Sequence, residues 1–139
     1  MRKIRPSFIP AIIWFIISVL LLSLPGSAFP KENWLEKIWI DKWIHIGIFA
    51  VLSGLFCWAM LKIISGNLKL KTIFIWIGII CLLYGVFMEL IQKFWIPNRS
   101  FDFGDIVADG VGSFLGVIFS SKRFIKKIDP CRNRGRNQN

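Results

Sequence analysis

The stretch Ile73–Gln92, IFIWIGIICLLYGVFMELIQ, decides the fold of this 139-residue chain. Its sixteen residues from Ile73 to Met88 carry no charge, and Glu89 follows them directly. An uncharged run of this length predicts a helix that crosses a membrane. Because a carboxylate near the end of such a helix is costly, it indicates a functional position rather than an incidental one.

Three more apolar runs have the same character: Phe8–Leu24, Ile44–Leu61 and Ile106–Phe119. The last is the weakest, because Asp109 and three glycines lie in it, and we extend it from about Phe103 to Ser121. Hydrophobic residues make up 55% of the chain, against roughly 45–50% in soluble domains. We therefore predict an all-α membrane protein, a bundle of four transmembrane helices whose partner is the lipid bilayer.

The segment between the first two runs leaves two alternatives open. Apolar residues at helical spacing in Asn33–Trp43 favour a short interfacial helix before the second span, with a loop carrying aromatic anchors as the alternative. Gly26-Ser27-Ala28 resembles a signal-peptide cleavage site. Pro30 would hinder cleavage, so we expect the first run to be retained as a span.

Basic residues are divided unequally between the two sides of the predicted bundle. Thirteen of the 18 lysines and arginines lie before the first run, between the second and third, or after the fourth. Because lysine and arginine favour the cytoplasmic side of short loops, both termini of this multi-pass protein should be cytoplasmic, at the cell membrane.

The chain divides into a transmembrane domain, residues 1–121, and a basic cytoplasmic tail, residues 122–139, whose composition predicts disorder. The net charge of +10 does not indicate nucleic acid, because no basic stripe interleaved with exposed aromatics is present. Three cysteines without paired spacing exclude a disulfide framework and a CxxC metal motif.

Seven polar residues recur at helical spacings, all at the predicted outer ends of the apolar runs: Asp41, His45, Glu89, Gln92, Arg99, Asp105 and Asp109. Asp41 and His45 are spaced i, i+4, so they share a helix face and can form a hydrogen bond. Asp41 would also be favoured by the helix dipole. Capping alone is the alternative.

Glu89 and Gln92 share a face through their i, i+3 spacing. The next segment, Ile96-Pro97-Asn98-Arg99, predicts a turn that presents Arg99 near Glu89 and Asp102. A guanidinium there can bind an anion or form an internal salt bridge, and the two alternatives remain open.

The fourth run carries one continuous stripe, formed by Asp105, Asp109, Gly112 and Gly116. Small residues at Ala108, Gly112 and Gly116 let a neighbouring helix approach closely. This stripe predicts that the fourth helix faces the bundle interior, with its acids at the outer end.

One imidazole, several carboxylates, an amide and a guanidinium would then converge. Such a set can bind a divalent cation, perform acid–base chemistry with His45 and Glu89 as catalytic groups, or lock the helices together.

Four segments of the chain carry a further pattern: Asp41-Lys42-Trp43-Ile44-His45, Glu89-Leu90-Ile91-Gln92, Pro97-Asn98-Arg99 and Asp105-x-x-x-Asp109-x-x-Gly112-x-x-x-Gly116. Together they resemble the VanZ-like family of small bacterial membrane proteins. The resemblance covers about residues 8–120. It implies a four-helix protein of the bacterial envelope, in a family whose namesake is linked to teicoplanin tolerance. The family often has asparagine where this chain has Asp109.

Three functions compete. The first is recognition of an anionic ligand at the outer leaflet, such as a lipid-linked wall precursor or a glycopeptide, with Arg99 contacting the anion. The second is an intramembrane hydrolase or transferase that uses His45 or Glu89 as the base, with a divalent metal held by carboxylates. The third is a structural scaffold. The sequence leaves the cofactor and the oligomeric state open.

Overall fold

The computed structural model describes residues 7–25, 39–61, 63–64 and 67–125. They form four α-helices: α1 Ile9–Leu22, α2 Ile40–Met60, α3 Asn67–Trp95 and α4 Phe103–Ser120. The chain continues from α4 into a π-helical turn, Ser121–Ile125. These ranges contain no β-strand, so the predicted all-helical class is confirmed.

Among the residues that the structure describes, three segments are long and apolar enough to cross a membrane: Ile40–Met60, Lys69–Trp95 and Phe103–Ile125. They give the molecule the character of a membrane protein. The first helix differs from its prediction, because α1 has 14 residues rather than the 17 of Phe8–Leu24. At 1.5 Å per residue it extends about 21 Å, less than the roughly 30 Å of a bilayer core.

The boundaries of the helices agree with the sequence at some points and differ at others. The fourth helix begins at Phe103 as predicted, and helical structure continues to Ile125, four residues into the predicted tail. Residues 33–38 of the predicted interfacial helix lie outside the described residues. Trp39 has a left-handed backbone, with φ of 53°, and α2 starts at Ile40. Residues 40–43 therefore form the first turn of α2.

Of the described helices, α2 and α4 pack together most extensively, and glycine explains their close approach. A Cβ atom at Gly112 would lie 2.9 Å from the Cα of Ile46, and one at Gly116 would overlap the carbonyl of Ala50. Ala108, Gly112 and Gly116 are all buried. Gly112 and Gly116 of the predicted small-residue stripe therefore lie where α4 packs against α2.

Polar bonds attach α1 to the neighbouring helices. Within the described residues, Trp14 Nε1 donates to the Ile48 carbonyl (3.0 Å), the Ser18 and Tyr84 hydroxyls pair (3.0 Å), and Gln92 Nε2 donates to the Leu22 carbonyl (2.8 Å). The other side of α1 is apolar and exposed, including Ile9, Ile12 and Leu20. This division suits a helix with one face on the protein and the other on lipid.

Candidate functional site

The start of α4 fixes one side of the polar cluster. Asp102 is the N-cap: its backbone is extended, and its Oδ1 accepts a 2.7 Å hydrogen bond from the Gly104 N–H. Asp caps supply an acceptor that the first turn of a helix otherwise lacks. Beginning the helix at this point places Asp105 and Asp109 one turn apart on the buried face.

Lys42 connects the first turn of α2 to the start of α4. Its Nζ donates to Oδ2 of Asp102 at 2.6 Å and to Oδ1 of Asp105 at 3.1 Å. The carboxylate of Asp41 lies 3.8 Å away and is half exposed. The bond from Lys42, together with the bond from Gly104, lowers the pKa of Asp102 below its usual range.

His45 pairs across the bundle rather than along its own helix. Its Nδ1 lies 2.7 Å from Oδ1 of Asp109, in a buried hydrogen bond between imidazole and carboxyl. The predicted hydrogen bond between Asp41 and His45 is replaced by this one, because the face of α2 that carries His45 packs directly on α4. The imidazole's other nitrogen, Nε2, is 3.9 Å from Oδ2 of Asp105.

Gly85 makes room for the carboxyl of Asp109 from the third helix. A Cβ at Gly85 would lie 2.8 Å from the Cβ of Asp109 and would overlap its carboxyl oxygen. Glycine at this position therefore lets α3 pack against the Asp109 side chain, so that α2, α3 and α4 all approach the same group.

Glu89 enters the cluster from the end of α3. Its Oε2 accepts a 3.2 Å hydrogen bond from the backbone N–H of Asp102. Its Oε1 is buried and has no hydrogen-bond partner among the described residues. The bond to Asp102 ties the end of α3 to the start of α4 across the intervening turn, in which Asn98 has a φ of 59°.

Four of the seven predicted site residues therefore come together at one end of three helices. Their exposed fractions are 3% for His45, 1% for Glu89, 4% for Asp105 and 1% for Asp109. His45, Glu89 and Asp105 each place one potential ligand atom within 4.8 Å of the others. A second set of oxygens, from Asp41, Asp102 and Asp105, surrounds the ammonium of Lys42.

The other three predicted residues lie at the edge of this cluster. Gln92 is buried and its amide donates to the end of α1, with its Oε1 unpartnered among the described atoms. Arg99 donates from Nε toward the Leu24 carbonyl, at 3.5 Å. Arg99 and Asp41 also line a cavity of about 140 Å³, together with His45 and apolar residues of α1 and α2.

Three residues of the site are not predicted as site residues by the sequence: Lys42, Asp102 and Gly85. Lys42 lies within the Asp41–His45 segment of the family resemblance but is given no role there, although its i, i+3 spacing to His45 places both on one helix face. Asp102 lies directly before the fourth helix, in the position favoured for an N-cap. No sequence signal distinguishes Gly85 from Gly78, the other glycine of the third run.

The pairing of Lys42 with Asp102 predicts an acid-sensitive contribution to stability. Because the folded-state pKa of Asp102 is lowered, this contribution is present above the unfolded-state pKa of about 3.9 and is lost as the pH falls through the lower folded-state value. Asp102→Asn keeps a capping side chain but removes the charge. We expect it to cost at most about 1 kcal/mol near neutral pH, because the carboxyl is half exposed.

Unfolding of both proteins in detergent micelles between pH 3 and 7 measures this effect. The difference in free energy of unfolding between wild type and Asp102→Asn should become smaller below about pH 4. Asp41→Asn removes an exposed carboxylate from the same end and serves as the control. A difference in free energy of unfolding that stays constant from pH 3 to pH 7 would contradict the pairing of Lys42 with Asp102.

Comparisons of this chain with protein-family models, curated proteins and solved structures give no match.

Proposed function

We propose that the protein is a VanZ-like integral membrane protein of the bacterial envelope that recognises an anionic amphiphile at the outer ends of its helices. A lipid-linked wall precursor is the ligand class that fits best, and a glycopeptide with a lipid chain shares the same chemistry. The observation that carries this proposal is the cavity that joins an apolar wall to Arg99 and His45.

The cavity has the two halves that an amphiphile requires. Leu21 and Leu22 at the end of α1, with Leu24 just after it, form an apolar part of the lining, and Ile44 and Ile48 of α2 add to it. The charged and polar groups of Arg99, Asp41 and His45 lie on the same lining. A guanidinium can bind a phosphate or carboxylate through two parallel hydrogen bonds, while the leucine and isoleucine side chains accept an acyl or prenyl chain.

Four spans with both termini in the cytoplasm are the arrangement that goes with this function. The distribution of lysine and arginine supports the orientation. The hydrogen bonds of Trp14, Ser18 and the Leu22 carbonyl to α2 and α3 support α1 as a retained part of the bundle. The mass of the mature protein purified from membranes tests retention, since cleavage after Ala28 would remove the first helix.

Arg99→Ala should weaken binding of a polyprenyl diphosphate about tenfold or more, since a hydrogen bond to a charged group is worth about 1.5–3 kcal/mol. Binding of the diphosphate and of the neutral polyprenol of equal chain length is measured by native mass spectrometry of protein in lipid nanodiscs. The wild type should prefer the diphosphate, and Arg99→Ala should lose that preference.

Arg123→Ala is the matched control, because Arg123 is an exposed arginine in the π-helical turn at the opposite end of α4. It should bind the diphosphate as the wild type does. Equal binding of diphosphate and polyprenol by the wild type would contradict the proposal, as would an equal loss in the two arginine variants.

An intramembrane hydrolase or transferase acting on a lipid-linked substrate is the second candidate, and the His45–Asp109 pair favours it. A carboxyl bound to Nδ1 orients the imidazole and makes Nε2 the better base. Turnover of the polyprenyl diphosphate by purified wild-type protein, abolished in His45→Gln, would favour catalysis over recognition. Binding without turnover would leave recognition as the function.

A further inference from the structure

Three buried side chains, one from each of three helices, face a common point. His45 belongs to α2, Glu89 to α3 and Asp105 to α4, and one potential ligand atom from each lies within 4.8 Å of the other two. All three residues are at most 4% exposed. An imidazole with two carboxylates is a donor set that divalent transition metals accept, with zinc as the commonest example.

The orientation of His45 is that of a metal ligand. Its Nδ1 is engaged by Asp109 at 2.7 Å, so Nε2 is the nitrogen that points toward Asp105. The 3.9 Å between Nε2 and Oδ2 of Asp105 is too long for a hydrogen bond. Two ligand atoms of a tetrahedral zinc ion, each about 2.0–2.2 Å from it, lie about 3.3–3.6 Å apart. The pair is therefore a few tenths of an ångström wider than in a zinc site, and metal binding would draw it closer. The carboxyl on Nδ1 is the usual outer partner of a metal-bound histidine.

Glu89 supplies the second, independent observation. Glu89 is only 1% exposed, and its Oε1 lacks a hydrogen-bond partner among the described atoms. A buried carboxylate oxygen without a partner is strongly disfavoured in an apolar environment. A cation bound at this oxygen would satisfy it without displacing the bond that Oε2 accepts from Asp102.

The balance of charge within the described cluster points the same way. Glu89, Asp105 and Asp109 are three buried carboxyl groups, and the ammonium of Lys42 contacts Asp105 alone among them. A divalent cation bound by Glu89 and Asp105 would place positive charge next to both carboxyl groups. The second oxygen set, formed by Asp41, Asp102 and Asp105, surrounds Lys42 itself, so its charge is already balanced.

We propose that His45, Glu89 and Asp105 bind one divalent transition-metal ion of the zinc type, with Asp109 holding the imidazole in position. His45 also lines the cavity that contains Arg99. The proposal is independent of the ligand suggested above, since it rests on the three side chains and not on the cavity's occupant.

The single histidine of the chain gives a direct test. Protein labelled with ¹⁵N-histidine, purified in micelles and treated with a chelator, is titrated with Zn²⁺ and its imidazole nitrogens are followed by NMR. We expect saturation at one ion per chain, a large shift of Nε2, and reversal by the chelator. An imidazole spectrum unchanged by Zn²⁺ would overturn the site.

Variants assign the carboxylate. Glu89→Gln keeps an oxygen that can accept from the Asp102 N–H but removes the charge, and it should weaken Zn²⁺ binding at least about 100-fold, beyond the 10–100-fold effect of altering an outer partner. Asp41→Asn, an acid-to-amide change in the other oxygen set, should leave the affinity unchanged. Equal affinities for wild type and Glu89→Gln would exclude Glu89 as a ligand. The NMR titration of wild type remains decisive if Glu89→Gln does not fold.

The two proposals fail separately. Arg99→Ala should lose its preference for the polyprenyl diphosphate, while the Nε2 resonance of His45 in this variant still shifts with Zn²⁺. Zn²⁺ binding without recognition of the diphosphate would remove the proposed function and leave the metal site. Recognition of the diphosphate with no Zn²⁺ response would remove the metal site and leave the proposed function.

Discussion

Gly112→Ala is expected to destabilise the protein by about 3 kcal/mol, at the upper end of the range for overpacked cores. A Cβ at this position would overlap the Ile46 carbonyl oxygen and would lie 2.9 Å and 3.0 Å from the Cα and carbonyl carbon of the same residue. These are backbone atoms of α2, so no side-chain rotation can relieve the collision. The helices would have to separate, which would also draw His45 away from Asp109.

Gly47→Ala provides the matched control, because a Cβ at Gly47 would meet nothing within 4 Å. Alanine is a better helix former than glycine by roughly 0.5–1 kcal/mol, so this variant should be as stable as wild type or more stable. Tryptophan fluorescence during SDS-induced unfolding measures all three proteins. Similar stabilities for Gly112→Ala and Gly47→Ala would show that α2 and α4 do not pack as closely as described.

His45→Leu should cost about 3–5 kcal/mol, the range for removing one partner of a buried charged or hydrogen-bonded pair. The variant would leave Asp109, which is 1% exposed, without the nitrogen that its Oδ1 contacts at 2.7 Å. Its Oδ2 already lacks a hydrogen-bond partner among the described atoms. A carboxyl with both oxygens unpaired in the bundle interior is the source of the expected loss.

The double variant His45→Leu/Asp109→Leu separates this cost from a loss of packing. Replacing both members of a buried pair with apolar groups is often nearly neutral or stabilising. We therefore expect the double variant to regain most of the stability lost in His45→Leu, with both measured in the presence of a chelator. If the double variant is instead less stable than either single variant, the pair is not the source of the effect.

Much of the architecture could be predicted from the sequence, because it depends on local spacing and hydropathy. The uncharged run before Glu89 predicts the third helix, and the stripe from Asp105 to Gly116 predicts which face of the fourth helix is buried. Both predictions are confirmed. Helical periodicity is sufficient for them, since it determines which residues share a face whatever the partner helix is.

The partners of the polar side chains could not be predicted in the same way. Spacing places Asp41 on the same face as His45, but the rotation of α2 against α4 decides that His45 contacts Asp109. That rotation follows from the close contact at Gly112 and Gly116, a property of two helices and not of one. Lys42 gained its partners through the same contact. The length of α1 also differs from the predicted length, because the apolar run of the sequence continues past the residue at which the helix ends.

The hydrogen bond from the Asp102 N–H to Glu89 has a consequence for how the chain assembles. It closes α3 and α4 into a helical hairpin across the seven residues that separate Trp95 from Phe103. That hairpin alone would gather Glu89, Asp105 and Asp109 with no basic or imidazole group from either helix beside them, so like charges would oppose its closure. Lys42 and His45 arrive only with α2. The N-terminal and C-terminal halves of the chain therefore depend on each other, and neither should form a stable unit when expressed alone.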